Sequence, residues 1–236
     1  MERKGTKWVE SDPKNPNCYW PSDALKKAAW ENDPSIYAKA AADPVAWWSA
    51  LAKKGIDWFK EWDKTYVEDI SKITWFEGGR LNMCYNAVDR HIKDKKDKAA
   101  ILWEPEDAGG SRVVTYGELH DKSRKMANAF RSLGIRKGDV VAIYLPMIPE
   151  AIIAMLACTR IGAVHAMIFS AFTKMALNTR LVSGKAKLLV TVDGYFRRGK
   201  KINLKAIADD SLANTSIEHM IVISRLKLDV EMRKGQ

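Results

Sequence analysis

The chain has little cysteine and little histidine, which limits the chemistry it can carry. Only 3 cysteines and 4 histidines occur among 236 residues. Cys18, Cys84 and Cys158 form no C-x-x-C pair and no even set, so the sequence predicts neither a metal site nor a disulfide framework. Such cysteine usage is typical of proteins from a reducing cytoplasm.

A long uninterrupted apolar stretch is also missing. The most apolar segment, Val140 to Cys158, contains two prolines and Glu150, and it falls short of the roughly 20 clean residues that a membrane span needs. The first 20 residues carry charge but no apolar core of a signal peptide. We therefore expect no membrane association, no secretion and a cytoplasmic location.

The overall composition is that of a soluble globular protein. Hydrophobic residues make up 47% and charged residues 29% of the chain, with a formal net charge of +10. These values fit one large domain or two small ones. The positive charge is mixed with acidic residues along the chain, which favours solubility and anion tolerance over nucleic-acid specialisation, although nucleic-acid binding stays open.

Residues 1–75 differ from the rest because they contain eight of the nine tryptophans. Their apolar spacing predicts a helical N-terminal extension without strands. One helix should begin at Asp43 and Pro44, where a carboxylate caps free amides and proline presets the first turn, and should end at Gly55. The tryptophans could form an aromatic binding surface, but packing is the interpretation we favour.

From residue 76 to 236 the pattern changes to strands alternating with helices. A helical face is predicted from Leu81 to Ile92, then a hairpin whose loop is Glu104–Ser111, then a helix opened by the T-x-x-E capping box of Thr115 and Glu118. The continuous apolar run Val140–Leu145 indicates a strand buried on both faces. Together these elements predict a doubly wound, mainly parallel α/β sheet. Further strands are expected at 163–169, 187–192 and 218–224, with helices at 149–161, 173–183 and 204–212.

The stretch "TVDGYFRRGKKINLK" puts four cations around one glycine after a predicted strand. These charges repel one another unless an anion or water lies between them. In doubly wound sheets ligands bind beyond the carboxyl ends of strands, which is where this basic loop falls. No G-x-G-x-x-G follows any predicted strand, so a dinucleotide site is not indicated.

Several ordered segments resemble the N-terminal part of AMP-forming acetyl-CoA synthetases, members of the adenylate-forming acyl-CoA synthetases. They are "WFEGGRLNMCYNAVDRH", the run from "TYGELHDKSRKMANAFRSLG" to "GAVHAMIF", the basic stretch, and the earlier "DPVAWWSALAKKGIDWFKEWDK". The resemblance covers nearly the whole chain. It implies that residues 76–236 are the incomplete first α/β subdomain of the large domain of such an enzyme.

The resemblance implies a ligase that activates acetate, or a similar short acid, with ATP to an acyl-adenylate and transfers the acyl group to CoA. It also implies that the basic loop binds the 3′-phospho-ADP end of CoA, with Arg197, Arg198, Gly199 and Lys200 as the contacting residues. Guanidinium groups suit phosphate oxygens, and glycine permits close backbone approach. The alternative is a solvated loop with no ligand.

Two departures from the family pattern stand out. Phe169 to Thr173 read F-S-A-F-T where the family commonly has F-G-G-F-S. Ser170 and Ala171 therefore predict a narrower or reshaped pantetheine passage. The Pro-Lys-Gly phosphate loop, the nucleotide motifs and the C-terminal catalytic lysine of the family do not occur, so we expect an N-terminal fragment that is inactive alone.

The resemblance leaves no catalytic and no metal-binding residue in this stretch, and Mg²⁺ is expected only for the complete enzyme. The expected partners are acetate or another short-chain carboxylate, CoA and ATP. A second polypeptide that supplies the remaining domains is an open alternative. A stand-alone nucleotide- or nucleic-acid-binding α/β module is another, with Tyr195 and Phe196 as the only aromatic residues beside the cations.

Three other features attract a functional interpretation but are better explained by structure. His165 lies in a predicted buried strand and is interpreted as a core histidine. Cys158 on an apolar helix face is expected to be unreactive. Asp89, Arg90 and His91 lack an identifiable serine nucleophile and are interpreted as polar contacts at a helix surface or between domains.

Overall fold

The computed structural model describes residues 9–106 and 110–232 of the chain. The chain divides into two compact units, Met1–Ile56 with Lys64–Glu77 and Asp57–Asp63 with Gly78–Gln236. A short segment between the two parts of the first unit thus belongs to the second. The domain limits 1–75 and 76–236 stay a prediction. Trp8 and residues 107–109 of the predicted hairpin loop lie outside the described residues.

The described residues of the first unit, 9–56 and 64–77, form three helices and two antiparallel hairpins. One predicted feature is confirmed here, because the Asp43 carboxylate accepts a hydrogen bond from the Ala46 N–H at 2.9 Å and Pro44 opens the helix that ends at Gly55. The elements are β1 (Val9–Ser11), β2 (Tyr19–Pro21), α1 (Asp23–Ala28), α2 (Ser35–Ala42), α3 (Pro44–Gly55), β3 (Lys64–Asp69) and β4 (Lys72–Glu77).

The two hairpins correct the prediction that this region holds helices without strands. In the second hairpin Tyr66 pairs with Trp75 and Val67 with Thr74, and the Tyr66 and Trp75 ring centroids lie 4.8 Å apart. Aromatic and β-branched residues favour such extended pairs. The helix-like spacing of the tryptophans predicts helices here instead. Trp30 is fully exposed, so the packing interpretation is wrong for that side chain.

The second unit holds an α/β sheet with accessory hairpins. Its capping box is confirmed, because the Thr115 hydroxyl and the Glu118 carboxylate each accept the other residue's backbone N–H. The elements are α4 (Met83–Ala87), α5 (Ile92–Lys95), β5 (Ala99–Trp103), β6 (Arg112–Thr115), α6 (Tyr116–Ser132), β7 (Val140–Leu145), α7 (Pro149–Ile161), β8 (Val164–Phe169), α8 (Lys174–Gly184), β9 (Leu188–Val192), β10 (Gly194–Arg197), β11 (Lys200–Asn203), α9 (Leu204–Asp209) and β12 (His219–Ile223).

The main sheet confirms the predicted fold class. Its four strands lie in the order β12-β9-β7-β8, and all its pairs are parallel. The chain runs outward from β7 to β8 and then returns to β9 on the other side of β7. Because such crossovers are right-handed, α7 and α8 lie on opposite faces of the sheet. The strand β7 is buried almost throughout, as its unbroken apolar run predicts.

The predicted helical face from Leu81 to Ile92 is interrupted in the structure. Helix α4 ends at Ala87, where Val88 leaves the helical region at φ −129° and ψ −61°, and a 3-10 turn at Asp89–His91 follows. The Asp89 carboxylate receives two hydrogen bonds of 2.9 Å from Arg160. We attribute the break to this contact, which lies far away in sequence and which local periodicity cannot reveal.

Three smaller differences concern element ends and one side chain. Lys185, rather than Gly184, takes the left-handed conformation after α8, with φ 48°. Helix α9 ends at Asp209 instead of residue 212. His165 is only half-buried, so the core interpretation is wrong; β8 is an edge strand that pairs on one side, and part of it stays open to solvent.

Candidate functional site

The carboxyl ends of the four parallel strands converge on one edge of the main sheet. Strands β7, β8, β9 and β12 end at Leu145, Phe169, Val192 and Ile223. Connections from β7 and its two neighbours leave the sheet on opposite faces, and doubly wound proteins bind ligands in the crevice formed at such a point. This edge is therefore the first place to examine for a site.

The basic segment after β9 is a β-hairpin, which corrects its description as a loop. Strand β10 pairs antiparallel with β11, and Arg198 and Gly199 form the two-residue turn with φ values of 51° and 71°. Two successive positive φ values define a type I′ turn, whose twist matches that of the flanking strands. Gly199 is thus required by the turn itself.

The cations of the hairpin lie on different faces of it. Arg197 lies directly opposite Lys200 in the strand register, so their side chains share one face. Lys201 is on the other face, with its Nζ 6.0 Å from the centroid of the Phe196 ring. Arg198 is at the tip, and all four cations are exposed. Like charges placed opposite each other are unfavourable unless an anion lies nearby.

Asp193 anchors the base of the hairpin. This residue is 1% exposed, and its carboxylate accepts hydrogen bonds from the backbone N–H groups of Gly194 (2.6 Å), Arg225 (2.9 Å), Leu226 (3.1 Å) and Leu228 (3.1 Å). Burial by itself raises the pKa of the Asp193 carboxyl, but these four donors outweigh burial and hold the pKa below its ordinary value. The carboxylate therefore ties the hairpin to the segment that follows β12.

Two tyrosine hydroxyls fix the turn after β8. Tyr144 donates to the carbonyls of Ser170 (3.2 Å) and Phe172 (2.9 Å), while Tyr195 donates to the Ser170 carbonyl at 3.3 Å. Burial, followed by the proximity of Tyr195, raises the pKa of Tyr144 to about 12, which keeps that hydroxyl a donor. Neither Ser170 nor Ala171 has a positive φ, so this turn does not need the glycines found in the family pattern.

A cleft of about 240 Å³ lies beside the hairpin at the same sheet edge. Its walls combine aromatic rings with side chains of both charges. The Arg225 guanidinium lies 5.0 Å from the Trp103 ring centroid, and that of Arg197 lies 5.9 Å from the Phe169 ring centroid. The Trp103 indole N–H donates to the Met147 carbonyl at 2.8 Å, which fixes the ring. The lining comprises Trp103, Glu104, Pro105, Glu106, Pro146, Met147, Ile148, Phe169, Ser170, Tyr195, Phe196, Arg197 and Arg225.

A larger concavity, of about 630 Å³, lies elsewhere, at the turn of the β3–β4 hairpin. Six consecutive residues, 68–73, form its whole lining. A single hairpin turn cannot enclose a ligand from several sides, although its lining includes charged side chains. We therefore place the candidate site at the cleft beside the cationic hairpin.

The other residues singled out from sequence take structural roles. Cys158 is fully buried and burial raises the pKa of its thiol to about 12, so it lies in the packed core, as its place on an apolar helix face predicts. Asp89 bonds to Arg160 and also lies 3.1 Å from His120 Nε2, within one polar cluster. Within residues 9–106 and 110–232, no group of three His, Cys, Asp or Glu side chains is placed to hold a metal ion. No helix in these ranges is long and apolar enough to cross a bilayer.

Sequence reasoning missed several residues that shape this site. Asp193 carried a usable signal, because an acidic residue directly after a fully apolar strand needs buried partners. No sequence signal indicated Trp103, Arg225 or Glu106, since their role depends on contacts with residues far away in sequence. Arg197, Gly199 and Lys200, together with Arg198, occupy the hairpin end that the sequence analysis selected.

The fold and the site define an α/β domain that presents a cationic hairpin and an aromatic cleft at the carboxyl edge of a doubly wound sheet. Residues 88–235 match the family model described as AMP-binding enzyme. Residues 33–87 match the model described as acetyl-coenzyme A synthetase N-terminus. The chain belongs to the AMP-binding enzyme family.

Individual relatives confirm the resemblance to acetyl-CoA synthetases. The chain is 44% identical over 220 residues to the acetyl-coenzyme A synthetase of Rubrobacter xylanophilus, covering 92% of this chain and 34% of that protein. It is 43% identical over 204 residues to that of Magnetococcus marinus, covering 85% and 32%. It is also 42% identical over 198 residues to the 3-hydroxypropionyl-coenzyme A synthetase of Metallosphaera sedula, covering 82% and 30%.

A solved structure is also similar to this chain. The acetoacetyl-CoA synthetase from Streptomyces lividans superposes with a TM-score of 0.78 at 25% sequence identity, over 89% of this chain and 32% of that one. The chain therefore spans about a third of the length of the relatives that it matches.

Proposed function

We propose that the chain contributes to an AMP-forming acetate–CoA ligase and carries part of its CoA site. In the proposed reaction acetate attacks the α-phosphorus of ATP, giving acetyl-adenylate and pyrophosphate. The CoA thiol then attacks the acetyl carbonyl and AMP leaves. The proposal rests on the family, on relatives named as acetyl-coenzyme A synthetases, and on the site geometry.

The observation that carries the CoA assignment is the cationic hairpin. Arg197 and Lys200 lie opposite each other on one face, Arg198 extends from the tip, and Gly199 in the turn has no side chain that would block a ligand. A phosphomonoester offers three oxygens and about two negative charges, which suits several convergent cations. We assign the 3′-phosphate of CoA to these residues.

The adjacent cleft suits the adenosine part of the same ligand. Its rings at Phe169 and Trp103 and the apolar Met147 provide flat apolar walls within reach of the hairpin. Arg197 lies over the Phe169 ring, so one residue borders both the phosphate position and the cleft. Purine rings bind well between aromatic and guanidinium planes.

The alternative of a nucleic-acid-binding module is not favoured by the hairpin. Tyr195 is only 6% exposed and its hydroxyl is bonded to Ser170, so its ring is not available for base stacking. Phe196 is half-buried and faces Lys201. Proteins that bind single strands use exposed aromatic platforms beside their cations, and the two rings of the hairpin itself offer none. The family match supports the CoA assignment over this alternative.

The remaining features of the proposal come from the family and its chemistry. ATP brings Mg²⁺ to the proposed reaction, and we assign this ion to no residue of the chain. We propose acetate, rather than one of its larger analogues, as the short acid. The inactivity of the chain alone, a second polypeptide and a cytoplasmic location stay predictions.

Mutation of the hairpin tests the assignment. CoA and dephospho-CoA binding to the chain would be measured by calorimetry for the parent, for Arg197→Ala and for Lys201→Ala. Loss of a charge-assisted phosphate contact should weaken CoA binding by about ten- to a hundredfold in Arg197→Ala. Lys201→Ala is the matched control, because it removes the same charge from the opposite face of the same hairpin.

Dephospho-CoA lacks the group that Arg197 is proposed to meet, so its affinity should change little in either variant. Equal losses for both ligands in Arg197→Ala would contradict the phosphate assignment. So would an equal loss of CoA affinity in Lys201→Ala, because the effect would then come from net charge alone.

A further inference from the structure

The carboxylate of Glu106 lies against the turn of the cationic hairpin. Its Oε1 accepts a hydrogen bond of 2.6 Å from the Gly199 backbone N–H, a contact between residues 93 positions apart. Glu106 is exposed and lines the same cleft as Arg197. The position next to the turn amide is thus filled by an oxyanion that belongs to the protein.

The turn geometry explains why an anion is held at that point. In a two-residue hairpin the strand ladder is closed by the residues that flank the turn, here Arg197 and Lys200, and the N–H of the second turn residue points away from the ladder. That N–H is not used by the ladder, and it lies in the turn between Arg197 and Lys200 and next to Arg198. An oxygen bearing negative charge is its best partner, since charge-assisted hydrogen bonds are stronger than neutral ones.

We infer that Glu106 is an internal competitor for the ligand phosphate and thereby sets the affinity of the site. This inference rests on the proposed function, in which a phosphate binds at the hairpin. A phosphate oxygen and the Glu106 carboxylate need the same donor and repel each other, so the carboxylate must leave when the phosphate arrives. A molecule whose turn amide is bound to Glu106 cannot take the phosphate. The observed affinity for the ligand therefore falls as the fraction of such molecules rises.

The contact between Glu106 and Gly199 also bears on how the hairpin tolerates its cations in the ligand-free protein. Four positive side chains on one short hairpin repel one another. The Glu106 carboxylate brings one negative charge to the turn through its hydrogen bond with Gly199, which offsets part of this repulsion until the phosphate replaces it. The residue therefore lowers the affinity for the ligand while it preserves the shape of the site.

A charge-neutral variant tests the inference. Glu106→Gln keeps the side-chain length and an accepting oxygen but removes the charge, and it should tighten CoA binding about fivefold, the effect of one unit charge about 4 Å away in a water-like medium. The matched control is Glu218→Gln, which removes the same charge from an exposed residue directly before β12, at the sheet edge opposite the cleft. CoA affinity in that control should stay within about twofold of the parent.

A second readout follows the contact directly. The Gly199 amide signal in a ¹H–¹⁵N spectrum should move in ligand-free Glu106→Gln, because its partner becomes neutral, and should stay in place in Glu218→Gln. Unchanged or weaker CoA binding in Glu106→Gln would overturn the inference, as would an equal gain in Glu218→Gln.

The two proposals fail in different ways. If the parent binds CoA and dephospho-CoA equally, no phosphate is recognised at the hairpin and the proposed function fails. If the parent prefers CoA but Glu106→Gln brings no gain, the phosphate binds without displacing Glu106 and the inference alone fails.

Discussion

Replacement of Asp193 should destabilise the second unit strongly. The side chain is buried and accepts hydrogen bonds from four backbone N–H groups. Each donor left without a partner costs about 1–3 kcal/mol, but the half-buried segment Arg225–Leu228 gives water access to some of them. We therefore expect Asp193→Ala to lower the free energy of unfolding by about 3–4 kcal/mol, a large share of the roughly 5–15 kcal/mol of a typical domain.

The assay is urea unfolding followed by circular dichroism at neutral pH. Asp193→Asn keeps one accepting oxygen and should lose about 2 kcal/mol. The control is Asp210→Asn, whose carboxylate is 64% exposed and lies 3.7 Å from Lys174, and which should change stability by about 0.5 kcal/mol or less. Similar losses in Asp193→Asn and Asp210→Asn would refute the anchoring role.

The pH dependence gives an independent check of the same residue. The pKa of folded Asp193 lies below its ordinary value of 3.8, because its four donors favour the charged form. Its contribution to stability is therefore complete above the unfolded-state pKa and is lost as pH falls through the folded-state pKa. The stability gap between the parent and Asp193→Asn should narrow below about pH 4. A gap that stays constant from pH 5 to pH 3 would contradict this assignment.

Two further substitutions test the hairpin. A Cβ added at Gly194 would lie 2.6 Å from Leu228 Cδ1 and 2.7 Å from the Ile202 carbonyl oxygen. Gly194→Ala should therefore destabilise the second unit by about 1–3 kcal/mol. An unchanged urea midpoint would argue against the packing described. Arg198→Asn should raise the thermal midpoint, because asparagine tolerates the left-handed conformation at φ 51° better than arginine does, with a gain of about 0.5–1 kcal/mol. A lower midpoint would mean that Arg198 stabilises the turn in another way.

Local signals predicted the central fold well. Three of its features are determined by residues that lie within a few positions of one another. They are the capping box of Thr115 and Glu118, the left-handed cap at Gly162 and the continuous apolar run of β7. The alternation of such elements is enough to indicate a doubly wound sheet. Periodicity failed where neighbours far away in sequence decide the outcome, as at the break after α4, where Asp89 bonds to Arg160.

The candidate site was predicted only in part. The cations and Gly199 can be selected because they follow a strand end. Their charge masks the alternation typical of strands, so the sequence predicts a loop where the structure has a hairpin. The arrangement of Arg197 opposite Lys200 depends on the type I′ turn, which begins with an unusual arginine. The contact between Glu106 and Gly199 joins residues too distant for any sequence pattern to connect them.

The preference of the chain for CoA over dephospho-CoA tests the central claim most directly. The two ligands differ only in the 3′-phosphate, so the ratio of their Kd values isolates the group assigned to Arg197, Arg198 and Lys200. The account predicts that CoA binds at least about tenfold more tightly, as expected for one or more charge-assisted phosphate contacts. Equal Kd values for the two ligands would contradict it.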